Sequence, residues 1–278
     1  MSVLTTEHPA WQSAGPAGVP TRLVRSGDGT WLLSWASGGV EVVCVAGEEN
    51  DKPEIITTAA EGWASTVPAA LAAGLSELGS TLRVANPWLW DALTTAIMRQ
   101  VVQAKTARDK YRTWCRTYGS AVDTEHGPQY LAPAPERVLE LTDSQFDSVS
   151  AAFNRTTLRA AASAYLERGA HWSRLSAAPL VEELMTVERI GPWTAAAAAA
   201  DFTGDFTHYP HNDLAVRTWA ARIAPDQSWP ALKNGAFETY WRRLAGRQPG
   251  ALHTLTLTTL TWGAHARDDQ HGGTAARP

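Results

Sequence analysis

The stretch that decides the fold is Val187-Glu188-Arg189-Ile190-Gly191-Pro192-Trp193-Thr194-Ala195. It joins two helical patterns through a short turn that contains Gly191 and Pro192. A turn followed directly by a helix points backbone N–H groups and the positive end of the helix dipole at one place, which suits a phosphate. An ordinary helix–helix connection has the same local pattern, so this stretch alone leaves both interpretations open.

A second segment, residues 206–217, delivers an aspartate to the start of a helix. It reads Phe-Thr-His-Tyr-Pro-His-Asn-Asp-Leu-Ala-Val-Arg, with Asp213 directly before an apolar periodic run. Asp is also a common helix N-cap, and a capping role is compatible with a catalytic one.

Together the two segments resemble the signature of the helix-hairpin-helix DNA glycosylase superfamily. Within it they are similar to the 3-methyladenine DNA glycosylase II branch, where a Gly-Pro-Trp-Thr-Ala hairpin precedes a Pro-x-x-Asp-Leu loop. Residues 86–93 and 97–102 look like that family's early core helix, and residues 133–137 look like its next connection. The similarity covers residues 83–265. It implies a mainly α fold with a small N-terminal β-sheet (α+β), in which a helical bundle has a cleft between helical subdomains.

The resemblance also implies an activity. A DNA glycosylase rotates its target nucleotide out of the base stack and hydrolyses the bond between base and sugar, which starts base excision repair. Asp213 matches the catalytic carboxylate, which stabilises positive charge on the sugar or positions a water. Family members that also cut the strand carry a Lys where this chain has Trp193, because a Schiff base needs an amine. We therefore expect a monofunctional hydrolase without lyase activity.

The expected substrate is an alkylated purine, substituted at N3 or N7. Such a base is positively charged, and aromatic faces attract cations. Most of the 13 tryptophans should nevertheless be core residues. Instead of binding substrate, Gln100 could be an exposed residue on a helix, and His211 could be a solvated loop histidine. The candidate substrate-binding residues are Trp193, Tyr209, Trp88, Trp90, Gln100, His211 and Asn212.

The candidate DNA-binding residues are Arg189, Ile190, Gly191, Thr194, Arg99 and Arg217. Arg189 departs from the family, which has Gly there, and an Arg does not adopt a positive φ freely. We therefore expect an altered grip on the phosphate. His211, Asn212, Leu214 and residues 247–251 depart from the family as well. Such changes fit a specialised relative that accepts bulky adducts, for example in self-resistance to a DNA-alkylating natural product.

Two other interpretations remain open at this stage. A catalytically inactive helix-hairpin-helix protein could bind lesions or duplex DNA without excising a base, and Arg189 is the feature that favours it. A helical protein with no role on DNA is the third, and the charge distribution argues against it. The net charge is −4, yet residues 83–118 carry seven basic and two acidic side chains.

Composition limits the remaining classes. Cys44 and Cys115 are too few for a disulfide framework, and the absence of four clustered cysteines excludes an iron–sulfur cluster. We expect no metal or cofactor for the chemistry, although hairpins of this family can hold a monovalent cation through backbone carbonyls. No apolar run approaches the roughly 20 residues of a membrane span. We expect a monomer that acts on double-stranded DNA with a modified base, in the cytoplasm at the nucleoid.

Periodicity and turn signals predict four regions. These are a loose leader (1–20), a small sheet-containing domain (21–82), a helical glycosylase domain (83–266) and a disordered tail (267–278). A hairpin is predicted around residues 37–39, and one long amphipathic stretch over 88–118. Other helices are expected at 68–78, 134–141, 143–153, 155–168, 178–186, 195–200, 213–223, 230–245 and 251–265.

Overall fold

A computed structural model describes residues 2–14, 18–36 and 39–271. Within them the chain is mainly helical with three small sheets, which confirms the predicted α+β class. The helices are α1 (Ala69–Ser76), α2 (Leu89–Met98), α3 (Ala104–Tyr118), α4 (Pro135–Glu140), α5 (Asp143–Ser148), α6 (Arg155–Trp172), α7 (Ala177–Leu184), α8 (Pro192–Thr203), α9 (Leu214–Ile223), α10 (Ala236–Ala245) and α11 (Ala251–His271). The strands are β1 (Ser2–Leu4), β2 (Gln12–Ala14), β3 (Val19–Ser26), β4 (Gly29–Ala36), β5 (Gly39–Ala46), β6 (Ile55–Ala59), β7 (Ser80–Val84), β8 (Ala121–Thr124) and β9 (Gly127–Tyr130).

The chain forms two compact units. One comprises the described residues among 1–7, 56–83 and 206–278, and the other comprises 8–55 and 84–205. This division departs from the predicted boundary at residues 82/83, because 56–83 group with the C-terminal third of the chain. We call the two units the terminal unit and the hairpin unit.

In the hairpin unit, the antiparallel sheet β2-β3-β4-β5 precedes a bundle centred on α2 and α8. Every residue of α2 is buried, and so is the alanine run 195–200 of α8. Alanine side chains allow backbones to approach closely, and α8 packs against both α2 and α7. This packing holds the turn between α7 and α8 against a rigid core.

In the terminal unit, the sheet β1-β7-β6 accompanies α1 and α9–α11. Helix α9, which begins after Asp213, packs against α11. A Cβ on Gly263 of α11 would lie 2.3 Å from the Trp219 indole of α9, so only a glycine permits this approach. The Asp213 loop therefore rests on a closely packed pair of helices.

Both chain ends differ from the predictions in the residues that the structure describes. The predicted loose leader contains β1 and β2, and β1 pairs in parallel with β7 in the register Ser2↔Ser80 to Leu4↔Leu82. Such long-range pairing leaves no local periodicity, so the sequence did not reveal it. At the other end, α11 continues through His271, into the predicted disordered tail, while residues 272–278 lie outside the described residues.

The predicted hairpin is confirmed as β4 and β5, which pair from Thr30↔Ala46 to Ala36↔Gly39, while residues 37 and 38 lie outside the described residues. The long helical stretch 88–118 is instead divided into α2 and α3 by residues 99–103, which we call the 99–103 loop. The loop contains Val101 at φ 57°, a left-handed conformation that no sequence signal predicts for a β-branched residue.

A buried polar network lies at the start of α2. The Asp91 carboxylate contacts Arg22 Nη2 at 3.4 Å and Asn86 Nδ2 at 3.0 Å, and it accepts a hydrogen bond from the Tyr111 hydroxyl. His8 Nε2 lies 3.3 Å from the same carboxylate. Burial alone would raise the pKa of Asp91, but His8, Arg22 and Tyr111 together hold it below its ordinary value. Asp91 is therefore a buried carboxylate that stays ionised.

Among the described ranges, none of the helices combines the length and apolar character that a membrane span requires.

Candidate functional site

The hairpin segment, residues 187–195, begins after α7 and enters α8 at Pro192. The Ile190 amide donates to the Val187 carbonyl at 3.1 Å, which closes a tight turn. The Ile190 side chain is buried, so it anchors the turn to the protein core. Glu188, Arg189 and Gly191 are exposed. The Ile190 side chain is therefore not exposed to DNA, and the predicted DNA-binding role of residue 190 stays a prediction for its backbone.

The first turn of α8 has no side-chain cap. Gly191 is its N-cap at φ −86°, and Pro192 has no N–H. The Ala195 amide donates to the Gly191 carbonyl at 3.0 Å. The amides of Trp193 and Thr194 belong to the group that a helix leaves without an internal partner. A Cβ at residue 191 would meet nothing within 4 Å, so the fold itself does not require glycine there.

Arg189 adopts φ 62°, the left-handed conformation that an Arg does not take freely, and the expected alteration of the grip on a phosphate stays a prediction. The left-handed conformation costs a non-glycine residue about 1–2 kcal/mol. The Arg189 side chain is exposed, with Nε 3.7 Å from the equally exposed Glu188 carboxylate. The turn therefore has a strained left-handed backbone at residue 189, and the Arg189 side chain places a guanidinium at the tip of the turn.

Gln100 links the 99–103 loop to the hairpin segment. Its Nε2 donates to Thr194 Oγ1 at 2.8 Å and to the Arg189 carbonyl at 3.4 Å. The side chain is therefore not an unattached surface amide, and its predicted role near the substrate stays a prediction. Thr194 is buried and accepts this bond, so its side chain is a structural contact rather than a DNA ligand.

Trp193 is partly exposed, and the Arg99 guanidinium lies 5.7 Å from its ring centroid. This is a cation–π geometry, which contributes about 0.5–1 kcal/mol at exposed sites. Arg99 therefore covers part of Trp193 instead of extending alone toward a phosphate.

The sequence interpretation missed Val101. Its side chain is 90% exposed, and its φ is positive. An exposed β-branched side chain in a left-handed conformation is an outlier of the kind that clusters at functional sites. No sequence signal identifies it, because Val101 and Val102 continue an apolar pattern that reads as helix.

Asp213 lies in the terminal unit as the N-cap of α9. Its Oδ1 accepts from the Ala215 amide at 3.0 Å, and its Oδ2 accepts from the Tyr209 hydroxyl at 2.6 Å. The residue is partly exposed, and Leu214 beside it is exposed. The capping role holds, and the carboxylate is oriented by two donors while it stays accessible.

Tyr209 acts through Asp213 in this arrangement. Its ring is buried and stacked on Phe206, with centroids 5.5 Å apart and planes at 20°. The predicted role as an aromatic face for the lesion is therefore wrong for Tyr209, which is a positioning residue. Phe206 is held in turn, since its amide donates to His253 Nδ1 at 3.1 Å.

His211 and Asn212 complete the loop before Asp213. His211 is fully buried and not a solvated loop residue, and its Nε2 lies 3.2 Å from the Phe206 carbonyl, so Nε2 carries the proton. Asn212 Nδ2 donates to the Leu232 carbonyl at 2.9 Å. Both side chains thus hold the loop in place. The burial of His211 does not fit the substrate contact predicted for it, and the contact predicted for the partly exposed Asn212 stays a prediction.

His211 predicts a pH-dependent stability. Burial, with the nearby Arg242 guanidinium, lowers the pKa of His211 from 6.5 to about 4. The unfolded chain binds a proton at His211 below pH 6.5, whereas the folded chain binds it only near pH 4. The contribution of neutral His211 to the free energy of unfolding is therefore fully present above pH 6.5 and is lost as the pH falls. The loss is on the order of 3 kcal/mol. Urea unfolding at pH 7.0 and 4.5 should show a smaller pH effect in His211→Gln than in the wild type. An unchanged effect would contradict this, and exposed His171→Gln is the control.

Three further candidates are Trp90, Arg217 and Trp88. Trp90 is 0% exposed and donates from Nε1 to the Pro133 carbonyl at 2.7 Å, so it is a core residue and the predicted pocket role is wrong. Arg217 donates from Nε to the Pro230 carbonyl at 2.7 Å, and its DNA-binding role stays a prediction. Trp88 is partly exposed, with the Arg25 guanidinium 5.4 Å from its ring, and its substrate role stays a prediction.

The basic segment 83–118 is less available than its charge suggests. Arg83 is buried over the Phe206 ring, and Arg112 donates to the carbonyls of Pro9 and Trp11. Lys105 and Arg116 of α3 are exposed. A minority of these cations therefore lies open to a polyanion.

No protein-family model matches the sequence, and neither does any curated protein. Solved structures do match. A 3-methyladenine DNA glycosylase from Archaeoglobus fulgidus is 16% identical, with a TM-score of 0.68 over 93% of this chain and 91% of that one. An 8-oxoguanine glycosylase/lyase from Clostridium acetobutylicum, in complex with double-stranded DNA, is 14% identical, with a TM-score of 0.63 over 93% and 89%. The chain therefore has the fold of these DNA glycosylases, as its hairpin and Asp213 segments predicted.

Proposed function

We propose that the protein is a monofunctional DNA glycosylase that hydrolyses the N-glycosidic bond of alkylated purines in double-stranded DNA. The observation that carries the proposal is Asp213, a partly exposed carboxylate oriented by Tyr209 and Ala215 at the start of α9. The glycosylase fold supports it. Bulky adducts and self-resistance stay predictions within it.

The chemistry assigned to Asp213 is electrostatic. As the glycosidic bond lengthens, positive charge develops on the sugar, and a fixed carboxylate stabilises that charge or orients an attacking water. The two hydrogen bonds to Asp213 leave each oxygen with a further lone pair, since a carboxylate accepts at about four sites. These hydrogen bonds therefore restrict rotation of the Asp213 carboxylate without neutralising its negative charge.

The hairpin unit supplies the proposed grip on DNA. The amides of Trp193 and Thr194, at the positive end of α8, suit one phosphate, and the Arg189 guanidinium adds a charge beside them. Val101 is assigned to the gap left in the base stack, because apolar side chains wedge between base steps when a nucleotide is extruded. Its left-handed backbone presents the side chain to solvent before DNA arrives.

A monovalent cation at the hairpin remains compatible with this grip. The Val187 and Arg189 carbonyls each accept one hydrogen bond, and each keeps a second lone pair. Such an ion would draw the turn toward a phosphate, and no chemical step requires it.

Trp193 carries the assignment of hydrolysis without strand cleavage. A lyase forms a Schiff base through an amine, and the indole at residue 193 cannot do so. Trp193 also offers a cation–π face to a charged purine, although Arg99 competes for it. A lesion on that face has to displace Arg99 or use the opposite face.

A panel of duplexes tests the proposal. Each duplex carries one N3- or N7-alkylated purine or one bulky purine adduct, and the free base released by the protein is quantified by chromatography. Release of at least one alkylated purine supports the proposal, and release from none contradicts it. In the second case, salt-dependent binding would assign the inactive DNA-binding function, because phosphate contacts make affinity fall steeply with salt.

Gly191→Ala tests the grip separately. The added methyl group meets no protein atom within 4 Å, so the free energy of unfolding should change by less than about 1 kcal/mol. The methyl group would keep a phosphate from the α8 amides, and DNA affinity should fall about tenfold, as for the loss of one charge-assisted hydrogen bond. Fluorescence anisotropy with labelled duplex measures this. Gly39→Ala is the control, since a Cβ there meets only the Ala36 carbonyl at 3.9 Å. Unchanged affinity in Gly191→Ala would remove the hairpin from the DNA interface.

A further inference from the structure

His253 lies in the first turn of α11 with both ring nitrogens engaged. Its Nδ1 accepts a hydrogen bond from the Phe206 amide at 3.1 Å, and its Nε2 lies 3.2 Å from Thr58 Oγ1 of β6. Because the accepting Nδ1 carries no proton, the neutral ring has its proton on Nε2 and donates it to Thr58. The two bonds therefore fix both the tautomer and the orientation of the imidazole.

Phe206 is the residue that His253 holds. The Phe206 side chain is buried, and the edge of the His253 ring faces it, with centroids 6.0 Å apart and planes at 76°. The Phe206 carbonyl lies 3.2 Å from His211 Nε2, and the Arg83 guanidinium lies 5.0 Å from the phenyl centroid. A buried amide needs an acceptor, and His253 supplies it. Phe206 is thus held at its amide, its carbonyl and its ring.

Phe206 passes this restraint to the candidate catalytic carboxylate. Its ring stacks on Tyr209, and its carbonyl accepts a hydrogen bond from the Tyr209 amide at 3.3 Å. We call Phe206 and Tyr209 the aromatic pair. The Tyr209 hydroxyl donates to Asp213 Oδ2 at 2.6 Å. A continuous path of contacts therefore runs from β6 to the start of α9, and all of it lies inside the terminal unit.

The direction of the Asp213 carboxylate depends on this path. The Ala215 amide holds Oδ1, whereas Oδ2 is held by Tyr209, whose hydroxyl is placed by the stack on Phe206. A group that acts on a reacting centre has to be placed closely, since a displacement of about 1 Å can cost roughly 10²-fold in rate. A residue that fixes the aromatic pair can therefore control the rate without contacting the reacting atoms.

We propose that His253 is a positioning residue for base excision, and that it directs the Asp213 carboxylate through the aromatic pair. Thr58 acts one step further back, because it accepts the Nε2 proton and holds the plane of the imidazole. The proposal deepens the proposed function and rests on it for the reaction that Asp213 performs.

Two substitutions of His253 separate the acceptor from the bulk of the ring. His253→Leu offers no acceptor, whereas His253→Asn places an amide oxygen near the position of Nδ1. With protein in excess over a lesion-containing duplex, His253→Leu should excise about tenfold more slowly than the wild type, with duplex affinity within about twofold. His253→Asn should excise within about threefold of the wild type. His171→Leu, an exposed histidine of α6, is the control and should excise at the wild-type rate.

A double-mutant cycle with Tyr209→Phe tests the path. Tyr209→Phe should lower the rate about tenfold, as for the loss of one hydrogen bond to a charged group. If His253 acts through Tyr209, the double variant His253→Leu/Tyr209→Phe should be about as slow as either single variant. A loss of about a hundredfold in the double variant would overturn the proposal. So would a rate within about threefold of the wild type in His253→Leu, or a rate in His253→Asn as low as in His253→Leu.

Amide hydrogen exchange, measured by NMR, gives a readout that does not depend on excision. The amides of Phe206 and Ala215 should exchange at least about tenfold faster in His253→Leu and within about threefold of the wild type in His253→Asn. The Ala224 amide, at the other end of α9, is the internal control and should keep its wild-type rate. Equal acceleration of all three amides, or of none, would overturn the positioning role.

If His253→Leu does not fold, Thr58→Val replaces it in both tests, because valine keeps the shape of threonine and removes the acceptor for Nε2. The same directions are expected, and wild-type excision and exchange in Thr58→Val would overturn the proposal. A protein that releases no base but passes the exchange test contradicts the proposed function alone. One that excises but fails the cycle and the exchange test contradicts the positioning role alone.

Discussion

Replacing Asp213 with Asn should lower the single-turnover rate of base excision by about 10²–10³-fold, the usual loss when one group that stabilises transition-state charge is removed. The amide keeps the shape of the carboxylate, and Asn caps a helix as well as Asp does, so α9 keeps its N-cap. The charge is what disappears. The rate should be measured with protein in excess over a lesion-containing duplex, so that product release does not contribute.

Asp226→Asn is the matched control for this variant, because Asp226 is an exposed carboxylate of the same unit. It should excise at the wild-type rate. Asp213→Asn should also bind the duplex with unchanged affinity and unfold at the wild-type urea midpoint. Excision by Asp213→Asn within tenfold of the wild type would remove Asp213 from the catalytic role.

Replacing Asp91 with Ala should destabilise the protein by about 3–5 kcal/mol, because it leaves a buried charge without its partner. Arg22 is 1% exposed and lies 3.4 Å from the Asp91 carboxylate. Asn86 and Tyr111 would also lose an acceptor. The free energy of unfolding should be measured in urea at pH 7, where Asp91 is ionised.

The double variant Arg22→Met/Asp91→Ala should recover part of that loss, since no unpaired buried charge remains. A loss below about 1 kcal/mol in Asp91→Ala would contradict the assignment of a charged, buried network. The network matters for function through α2, which begins beside it and ends at the 99–103 loop with Gln100 and Val101.

Much of the helical half could be predicted because its signals are local. The hairpin segment, the Asp213 loop and the buried alanine run of α8 each follow from short patterns of Gly, Pro and apolar residues. The capping role of Asp213 followed in the same way. A local pattern specifies a helix or a turn, and the helices and turns around these residues lie where the sequence predicted them.

Other features depend on contacts distant in sequence. β1 exists because it pairs with β7 about 80 residues away, and Gln100 matters because it reaches Thr194. Val101 and Arg189 adopt left-handed conformations that their own side chains disfavour, so only the surrounding packing can impose them. Trp90 and Tyr209 were assigned to the lesion as aromatic residues near a motif, whereas burial decides their roles.

The central claim, base removal by hydrolysis alone, is tested most directly on one end-labelled duplex that carries an alkylated purine released in the lesion panel. After incubation with the protein, one sample is analysed directly, one is heated in alkali, and one is treated with sodium borohydride during the reaction. We predict an intact strand in the first, cleavage at the lesion in the second, and no covalent protein–DNA adduct in the third. Strand cleavage without alkali together with a borohydride-trapped adduct would contradict the account, because both require an amine nucleophile that Trp193 does not provide.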